Sequence, residues 1–408
     1  MVLPLSDSAP TIGVDVLSLA RFSTVLQRSS GRFLRRCFTP AELSQCQGRL
    51  ESLAGRWAAK EAVIKCLSAG RQVYRRQIEV LTDSSGAPQL LLDGRPSAIS
   101  VSISHHGDMV VAVALAAAST LLADPPAALH LPQRPADAHK GSFGTVVAIA
   151  GSMGYTGAAH LCATAAARAG AGLVRLLVAE SLHGILAAKC TEVMATPVPE
   201  VLPGVIGQVS LGAMMRHLPS AAAAVVGPGL GQDTSTRRAV AELAQAIACP
   251  TVLDADALNA LSHQAKSLGR WAGPRVLTPH PGEMARLTGL TVQQIQADRS
   301  EIAFRYARQW AAVVALKGAN TVVARPDGEV WVDSHSVPAL ASAGSGDVLA
   351  GLIAGLMAQG CDPWQAAVTG VFVHAEAGRW ASLVMGDSGV LASDLLELIP
   401  RVMRAARM

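Results

Sequence analysis

Ala343-Gly344-Ser345-Gly346-Asp347 runs without a break into Val348-Leu-Ala-Gly-Leu-Ile-Ala-Gly-Leu-Met357. The apolar half reads as a long buried helix. The glycines before it let successive backbone N–H groups turn toward one point, and a helix N-terminus adds about half a positive charge there. Such a junction suits a phosphate or an oxyanion, with the Asp347 carboxylate beside it. An aspartate in a first helical turn also serves as a plain cap, and the motif alone does not choose between the two.

Working outward, five short β-rich runs each end in an unusual turn. Thr145–Ala150 leads into Gly151-Ser-Met-Gly154-Tyr-Thr-Gly157-Ala158, and Ala223–Val226 into Gly227-Pro-Gly229-Leu-Gly231. Thr251–Leu253 ends in Asp254-Ala-Asp256, Arg275–Leu277 in Thr278-Pro-His280-Pro-Gly282-Glu283, and Val313–Leu316 in Lys317-Gly318-Ala319-Asn320-Thr321. Alanine-rich helical stretches separate these runs, with a further strand expected at Leu173–Val178. That alternation predicts a mostly parallel sheet with helices on both faces. Ligands of such sheets bind beyond the carboxyl ends of the strands, where these turns fall. Neither GxGxxG nor GxxxxGKS/T occurs, so a dinucleotide fingerprint and a P-loop are both absent. Each turn by itself is a plain connection; their number and shared placement favour a site.

Composition sets the frame. A chain of 408 residues exceeds one ordinary core, and half hydrophobic with only 4% aromatic residues describes a globular α/β protein. The formal net charge of +4 gives no ground for nucleic-acid binding. Seven scattered cysteines without a CxxC read as free thiols of a reducing compartment. The first residues lack a signal-peptide pattern, and the longest apolar-looking stretch, Met109–Ala123, is short for a membrane span. A cytoplasmic protein off the membrane is therefore expected. Pro125, Pro126, Pro132 and Pro135 mark a junction, dividing the chain into residues 1–118, a proline-rich linker over 119–139 and residues 140–408.

KGSFGTVVAIAGS, VVGPGLG, VLDADALNAL, LTPHPGE, VVALKGANTVVA and ASAGSGDVLAGLIAGLMAQG together resemble the ADP-dependent NAD(P)H-hydrate dehydratases, of ribokinase-like fold, over nearly all of Lys140–Arg401. The resemblance implies that the hydroxyl of hydrated NADH or NADPH is phosphorylated by ADP and that phosphate then leaves. Asp347 would take the hydroxyl proton, while the amides of Gly344–Gly346 stabilise the transferring group. It implies hydrate contacts from Ala158, Gly229, His280 and Asp347. Nucleotide contacts would come from Lys317, Gly318, Ala319, Asn320, Thr321, Gly344 and Gly346, with magnesium on the nucleotide. Family members are often fused to an epimerase, so a separate NAD(P)H-hydrate epimerase is expected in the cell. The competing reading is a ribokinase-type small-molecule kinase.

The first part of the chain reads as a small α+β unit. Strands are expected at Thr11–Val16, Ile78–Thr82, Gln89–Leu92, Ile99–Ser104 and Met109–Leu115, with a long helix around Leu53–Leu67. Between Ala20 and Leu50 lie six arginines and one acid, Glu42, an imbalance that suits an acidic or phosphorylated partner. Asp15 at a strand and Glu61 on the helix are carboxylates from distant segments, as magnesium on a phosphate would use. Glu61 and Lys65 are equally a plain i,i+4 surface pair. IGVDVLSLARF, FLRRCFTPAEL, LAGRWAAKEAVIKCL and ISVSISHHGDMVVAVAL resemble holo-acyl-carrier-protein synthase, a phosphopantetheinyl transferase. The resemblance implies Asp15 and Glu61 as magnesium ligands on coenzyme A, Lys60, Lys65 and His105 along the same site, and Arg21 against acyl carrier protein. Glu61, Lys65 and His105 would take part in catalysis, in a homo-oligomer with sites between subunits. The chain departs from the family's Lys-Ala-Leu-Gly-Thr-Gly turn at Lys65-Cys-Leu-Ser-Ala-Gly70. The competing reading is a noncatalytic docking module for the carrier protein.

Overall fold

The computed structural model describes residues 11–29, 31–67, 73–83, 86–97, 99–116, 123, 125–262 and 268–407. The chain separates into two compact units, with the division at Ala123/Asp124.

In the first unit, β1 (Thr11–Ser18) leads into α1 (Leu19–Arg28), α2 (Arg32–Cys37), α3 (Pro40–Cys46) and the long α4 (Leu50–Leu67). There follow β2 (Ile78–Thr82), β3 (Pro88–Leu92), the two-residue β4 (Arg95–Pro96), β5 (Ser100–His106) and β6 (Met109–Ala116). Two three-stranded sheets result, ordered β1-β6-β5 and β2-β3-β4. β6 alternates strictly between exposed and buried positions after its first residues, the pattern of an antiparallel strand with one covered face. Helix α4 covers that face. At Gly13 the fit is so close that a Cβ would lie 1.9 Å from the Ala62 carbonyl oxygen. Only glycine allows this approach, and it brings Asp15, two residues on and on the same face, alongside the helix.

In the second unit, β7 (Thr145–Ile149), α5 (Thr156–Arg168), β8 (Leu173–Ala179), α6 (His183–Lys189) and β9 (Met194–Val198) come first. Next are α7 (Leu211–His217), β10 (Ala223–Val226), α8 (Thr234–Ala246), β11 (Thr251–Leu253), α9 (Asp256–Leu261) and β12 (Arg275–Leu277). The chain continues through α10 (Pro281–Thr288), α11 (Val292–Ala297), α12 (Arg299–Trp310), β13 (Val313–Leu316), β14 (Val322–Ala324) and β15 (Val330–Val332). It ends with α13 (Ser345–Ala358), α14 (Pro363–Met385) and α15 (Ala392–Ala405). One sheet, ordered β15-β14-β13-β12-β11-β10-β7-β8-β9, holds all these strands. Seven of them, β13 through β9 in that order, run parallel, and the β14–β15 hairpin adds antiparallel at one edge. Strands β10, β11, β12 and β13 are buried at every position, so helices cover both faces, as expected.

The expected proline-rich linker, in its described part, is held to the second unit. His130 N–H donates to Thr369 Oγ1 at 2.9 Å, Arg407 to the Pro132 carbonyl at 2.8 Å, and Arg134 to the Gly170 carbonyl. Proline removes regular structure here without preventing packing.

Helix α13 reaches the sheet edge by lying directly on α5. A Cβ at Gly351 would lie 2.0 Å from the Cys162 carbonyl oxygen, and one at Gly355 would lie 2.5 Å from that of Ala166. The backbone of α5 cannot yield to a methyl group. Gly351→Ala is therefore expected to lower stability by about 1–3 kcal/mol, although alanine is the better helix former by ~1 kcal/mol. Gly184→Ala, where a Cβ meets nothing within 4 Å, should be neutral or mildly stabilising. Urea unfolding of the two variants checks the contrast.

Candidate active site

Strands β13, β12, β11, β10 and β7 are consecutive neighbours and parallel, so the five turns quoted from the sequence lie along one edge. They are tied to one another through the backbone. Gly151 N–H donates to the Pro228 carbonyl at 2.8 Å, Ser152 Oγ to the Gly229 carbonyl at 2.8 Å, and Lys317 N–H to the Pro279 carbonyl at 2.8 Å. Beside these turns sits a cavity of about 550 Å³. Its wall includes His280, Lys317, Gly318, Ala319, Thr321, Gly344, Gly346 and Asp347 among the residues expected from the sequence. Ala158 and Gly229 are not part of that wall. They face each other, since a Cβ at Gly229 would fall 2.8 Å from that of Ala158. Leu161, one turn along α5 from Ala158, touches the Gly344 position. Asn320 also stands outside the cavity wall, in left-handed backbone at φ +54°, with its amide donating to the Asp333 carbonyl at 3.0 Å. It shapes the loop from behind.

Gly344, at φ +90°, caps α13 and leaves the first-turn amides of the helix without a side-chain cap. Asp347 stands in that first turn, partly buried. Burial, together with the nearby Asp254 carboxylate, pushes its carboxyl up to about 7 against the pull of Lys317. Lys317 Nζ lies 2.6 Å from Asp254 Oδ1 and 3.9 Å from Glu283 Oε2. Burial alone would lower the lysine, yet Asp254 and Glu283 hold it above its ordinary value. Glu283 is itself pushed up to about 7 by burial. His280 caps α10, its Nδ1 accepting from Gly282 N–H at 3.0 Å. Burial and the Lys317 charge keep it below its ordinary value, and so neutral.

Three residues that sequence reasoning passed over belong to this cavity. Asp254 was visible in its turn but carried no assigned role. His374, from α14, donates through Nε2 to the Ser345 carbonyl at 2.9 Å, and burial lowers it to about 4. His335 lies between Asp333 at 2.6 Å and Glu376 at 2.8 Å, and those two bonds outweigh burial to raise it to about 9. Nothing local in sequence pairs positions 41 residues apart.

In the first unit, Lys65 Nζ donates to Asp15 Oδ1 at 2.7 Å, and Glu61, one turn earlier on α4, accepts from Arg75 Nε at 2.5 Å. Asp15, Glu61 and Lys65 thus share one region. His105, on β5, packs against another part of α4, at Gly55 and the Glu51 carbonyl, and Gly55 is six residues or about 9 Å of helix from Glu61. Arg21 is exposed on α1. Lys60 requires a correction. Expected along the coenzyme A site, it is fully buried, and its ammonium bonds Glu42, Cys37, Arg75 and Ile78 oxygens at 2.6–3.0 Å. With its donors used inside the core it has none for a ligand. The same pair hides Glu42, the lone acid of the arginine-rich segment, so all six arginines of that segment stand exposed without an acid among them. The departure at residues 68–70 lies outside the described residues.

Comparison with known proteins then decides the family. Residues 146–401 match the family model described as NAD(P)H-hydrate dehydratase. The chain belongs to the NAD(P)H-hydrate dehydratase family. Residues 11–116 match the model of the 4'-phosphopantetheinyl transferase superfamily. An ADP-dependent (S)-NAD(P)H-hydrate dehydratase of Xanthomonas campestris is 39% identical over 64% of this chain and 88% of that protein. A bifunctional NAD(P)H-hydrate repair enzyme of Moorella thermoacetica is 48% identical over 67% of this chain. The matched region spans only 52% of that relative's length. A crystal structure of the Bacillus subtilis ADP/ATP-dependent NAD(P)H-hydrate dehydratase, grown with ATP and magnesium, aligns with a TM-score of 0.57 at 33% identity. It covers 67% of this chain and 94% of that one. The unit with the parallel sheet thus has the dehydratase-family fold.

Magnesium was expected in both units. Among the described residues no group of three or more His, Cys, Asp or Glu side chains is arranged to hold a metal. In the dehydratase-family unit Asp254 is committed to Lys317 and to Thr278 Oγ1 at 2.7 Å, so the cavity carboxylates do not form a resident metal site. Asp15 and Glu61 are a different case, because magnesium needs only one or two carboxylates when a phosphate supplies further oxygens. Their partial exposure, 16% and 20%, fits that use.

The raised Asp347 carboxyl has a consequence for stability. Its folded value of about 7 exceeds its ordinary 3.8, so the folded chain binds this proton more tightly than the unfolded one. Stability is lost as pH rises from about 4 to about 7, then levels off. Asp347→Asn should be more stable than the unaltered chain at pH 8 by up to ~4 kcal/mol, and the difference should close near pH 4. Urea unfolding at both pH values measures it; an unchanging difference would mean the charge is not responsible.

Proposed function

We propose that the chain carries two separate enzymes. The second unit dehydrates hydrated NADH and NADPH with ADP as phosphoryl donor. The observation that carries this reading is one cavity holding the α13 amides, Asp347 and Lys317, formed at the carboxyl ends of five adjacent parallel strands. The hydrate hydroxyl attacks the terminal phosphorus of ADP as its proton passes to the Asp347 carboxylate. The bond to AMP breaks while the new P–O bond forms. A carboxyl near 7 suits this task, since half of it is ionised at neutral pH while it remains basic. The amides of Gly344–Gly346 face charge on the phosphoryl oxygens. Phosphate then leaves with its oxygen, and loss of a proton from the adjacent carbon restores the double bond. Ala158, Gly229 and His280 hold the hydrate, and the Lys317–Thr321 loop holds the nucleotide. A magnesium ion would travel on the nucleotide phosphates. A separate epimerase interconverts the two forms of the hydrate and so brings both to this site.

The first unit transfers phosphopantetheine from coenzyme A to a serine of acyl carrier protein. Asp15 and Glu61 would hold magnesium, which neutralises the coenzyme A pyrophosphate; Lys65 orients the same group. Arg21 and the exposed arginines near it receive the acidic carrier. Ile12, Val14, Val16, Val113 and Leu115 are all exposed on the outer face of the β1-β6-β5 sheet. So much apolar surface supports self-assembly through this unit, which would let His105 act with the carboxylates of a neighbouring copy. Among the described residues no helix is long and apolar enough to cross a membrane, in keeping with an enzyme of the cytoplasm.

A paired assay separates the two activities. Asp347→Asn should reduce NADH recovery from its hydrate with ADP by about 10²–10⁴-fold and leave carrier modification by coenzyme A intact. Asp15→Ala should do the reverse. A stable phosphorylated product would assign the second unit to the small-molecule kinases, and an unaffected Asp15→Ala would make the first a docking module.

A further inference from the structure

Lys317 opens the loop that the nucleotide reading uses, but its side chain leaves that loop. Its ammonium lies 2.6 Å from Asp254 Oδ1, at the end of β11, and only 3.2 Å from the place a Cβ would occupy at Gly346. It therefore sits beside the first turn of α13, against the amide cradle and Asp347. Asp254 is fixed in turn. It is 1% exposed, its N–H donates to the Val226 carbonyl at 3.1 Å, and its Oδ1 also accepts from Thr278 Oγ1.

An ammonium has three donors, and Asp254 is the one hydrogen-bond partner of Lys317 Nζ among the described residues; Glu283, at 3.9 Å, is beyond bonding range. The side chain is only 18% exposed, and both Lys317 and Asp254 line the cavity. Two N–H groups of a largely buried cation are thus left for whatever enters. Charge makes the same point. Asp254, Glu283 and Asp347 surround this single ammonium, and a terminal phosphate brought among three carboxylates without it would be repelled.

Resting on the dehydratase reading above, we propose that Lys317 is a catalytic residue that contacts the transferring phosphoryl group, not the nucleoside, and that Asp254 is the positioning residue that aims it. As the P–O bond to AMP breaks and the bond to the hydrate oxygen forms, the ammonium stays on the non-bridging oxygens and keeps its protons. The proton of the hydroxyl goes to Asp347. Asp254 also acts on that base. The groups facing Asp347 are Asp254, Asp256 at the start of α9, Lys317, and the buried Cys162 thiol of α5. His374 of α14 stands close by and is neutral; Glu283 and His280 of α10 act through Lys317.

AMP and ADP differ by the group in question, so their binding separates the alternatives. Calorimetry with the full chain and magnesium should show Lys317→Met weakening ADP at least tenfold while AMP changes less than twofold. Lys317→Arg should restore most of the ADP affinity. The hydrate reaction of Lys317→Met should fall by about 10²–10³-fold in kcat. Asp254→Asn should move the acidic limb of the kcat/KM profile to lower pH, because a charge that raises Asp347 has gone. Equal loss of AMP and ADP, or loss of neither, would overturn the proposal, as would an unmoved acidic limb in a folded Asp254→Asn chain. If the unaltered chain bound no ADP and recovered no NADH, the dehydratase reading itself would fall.

Discussion

Helix α13 rests on α5 through two glycines whose Cα atoms leave no room for a methyl group. Much of the second unit's chemistry follows from that contact. It sets the N-terminus of α13 at the edge where five parallel strands end, so Gly344, Ser345, Gly346 and Asp347 line the cavity. It also fixes Asp347, one turn before Gly351, at a depth where burial can hold its proton. The helix N-terminus, the Gly344–Gly346 turn and Asp347 are thus positioned by one steric constraint. A residue at 351 that loosened the pair would disturb all three together.

The electrostatics of the cavity are unfavourable by construction. Asp254, Glu283 and Asp347 approach a single lysine, and burial, helped by the Asp254 charge, pushes Glu283 and Asp347 up to about 7. Such crowding destabilises the folded chain and is common where a group must exchange a proton near neutral pH. Asp254 itself accepts from both Lys317 and Thr278 Oγ1. Away from this cluster, His335 is held charged between Asp333 and Glu376, and Arg379 closes the row on Glu376 at 2.6 Å. Asn320 links that row to the Lys317–Thr321 loop, its N–H donating to the His335 carbonyl and its side-chain amide to the Asp333 carbonyl. The loop's left-handed turn is supported from behind by buried charge.

Much of this could be read along the chain, for identifiable reasons. Fully buried parallel strands are short valine-rich runs, and turns that must approach a ligand are rich in glycine, so Ala223–Val226 and Arg275–Leu277 were found with their observed limits. β9 was missed because Met194–Val198 contains a proline and lies at the sheet edge, where one side needs no hydrogen bonds. The β14–β15 hairpin was missed although Pro326-Asp-Gly328 between two valine-rich runs is a usable turn signal. Lys60 shows a deeper limit. It adjoins Glu61 on α4, yet the helix is covered on so many sides that one of the two neighbours faces the core and the other a partly open site. Spacing says which residues share a face; packing decides which face is wet. His335 and Glu376 meet only in three dimensions.

The two units place their charge differently. The first buries its one local acid with Lys60 and leaves arginines outside; the second gathers acids inside around one lysine. In the proposed reaction Asp347 is the base, and burial pushes its carboxyl up to about 7. Carbon-detected NMR titration of the Asp347 side chain in the full chain reads that directly. A midpoint close to 7, falling when Asp254 is replaced by asparagine, is the expected result. A midpoint near 4, with no response to that replacement, would contradict it.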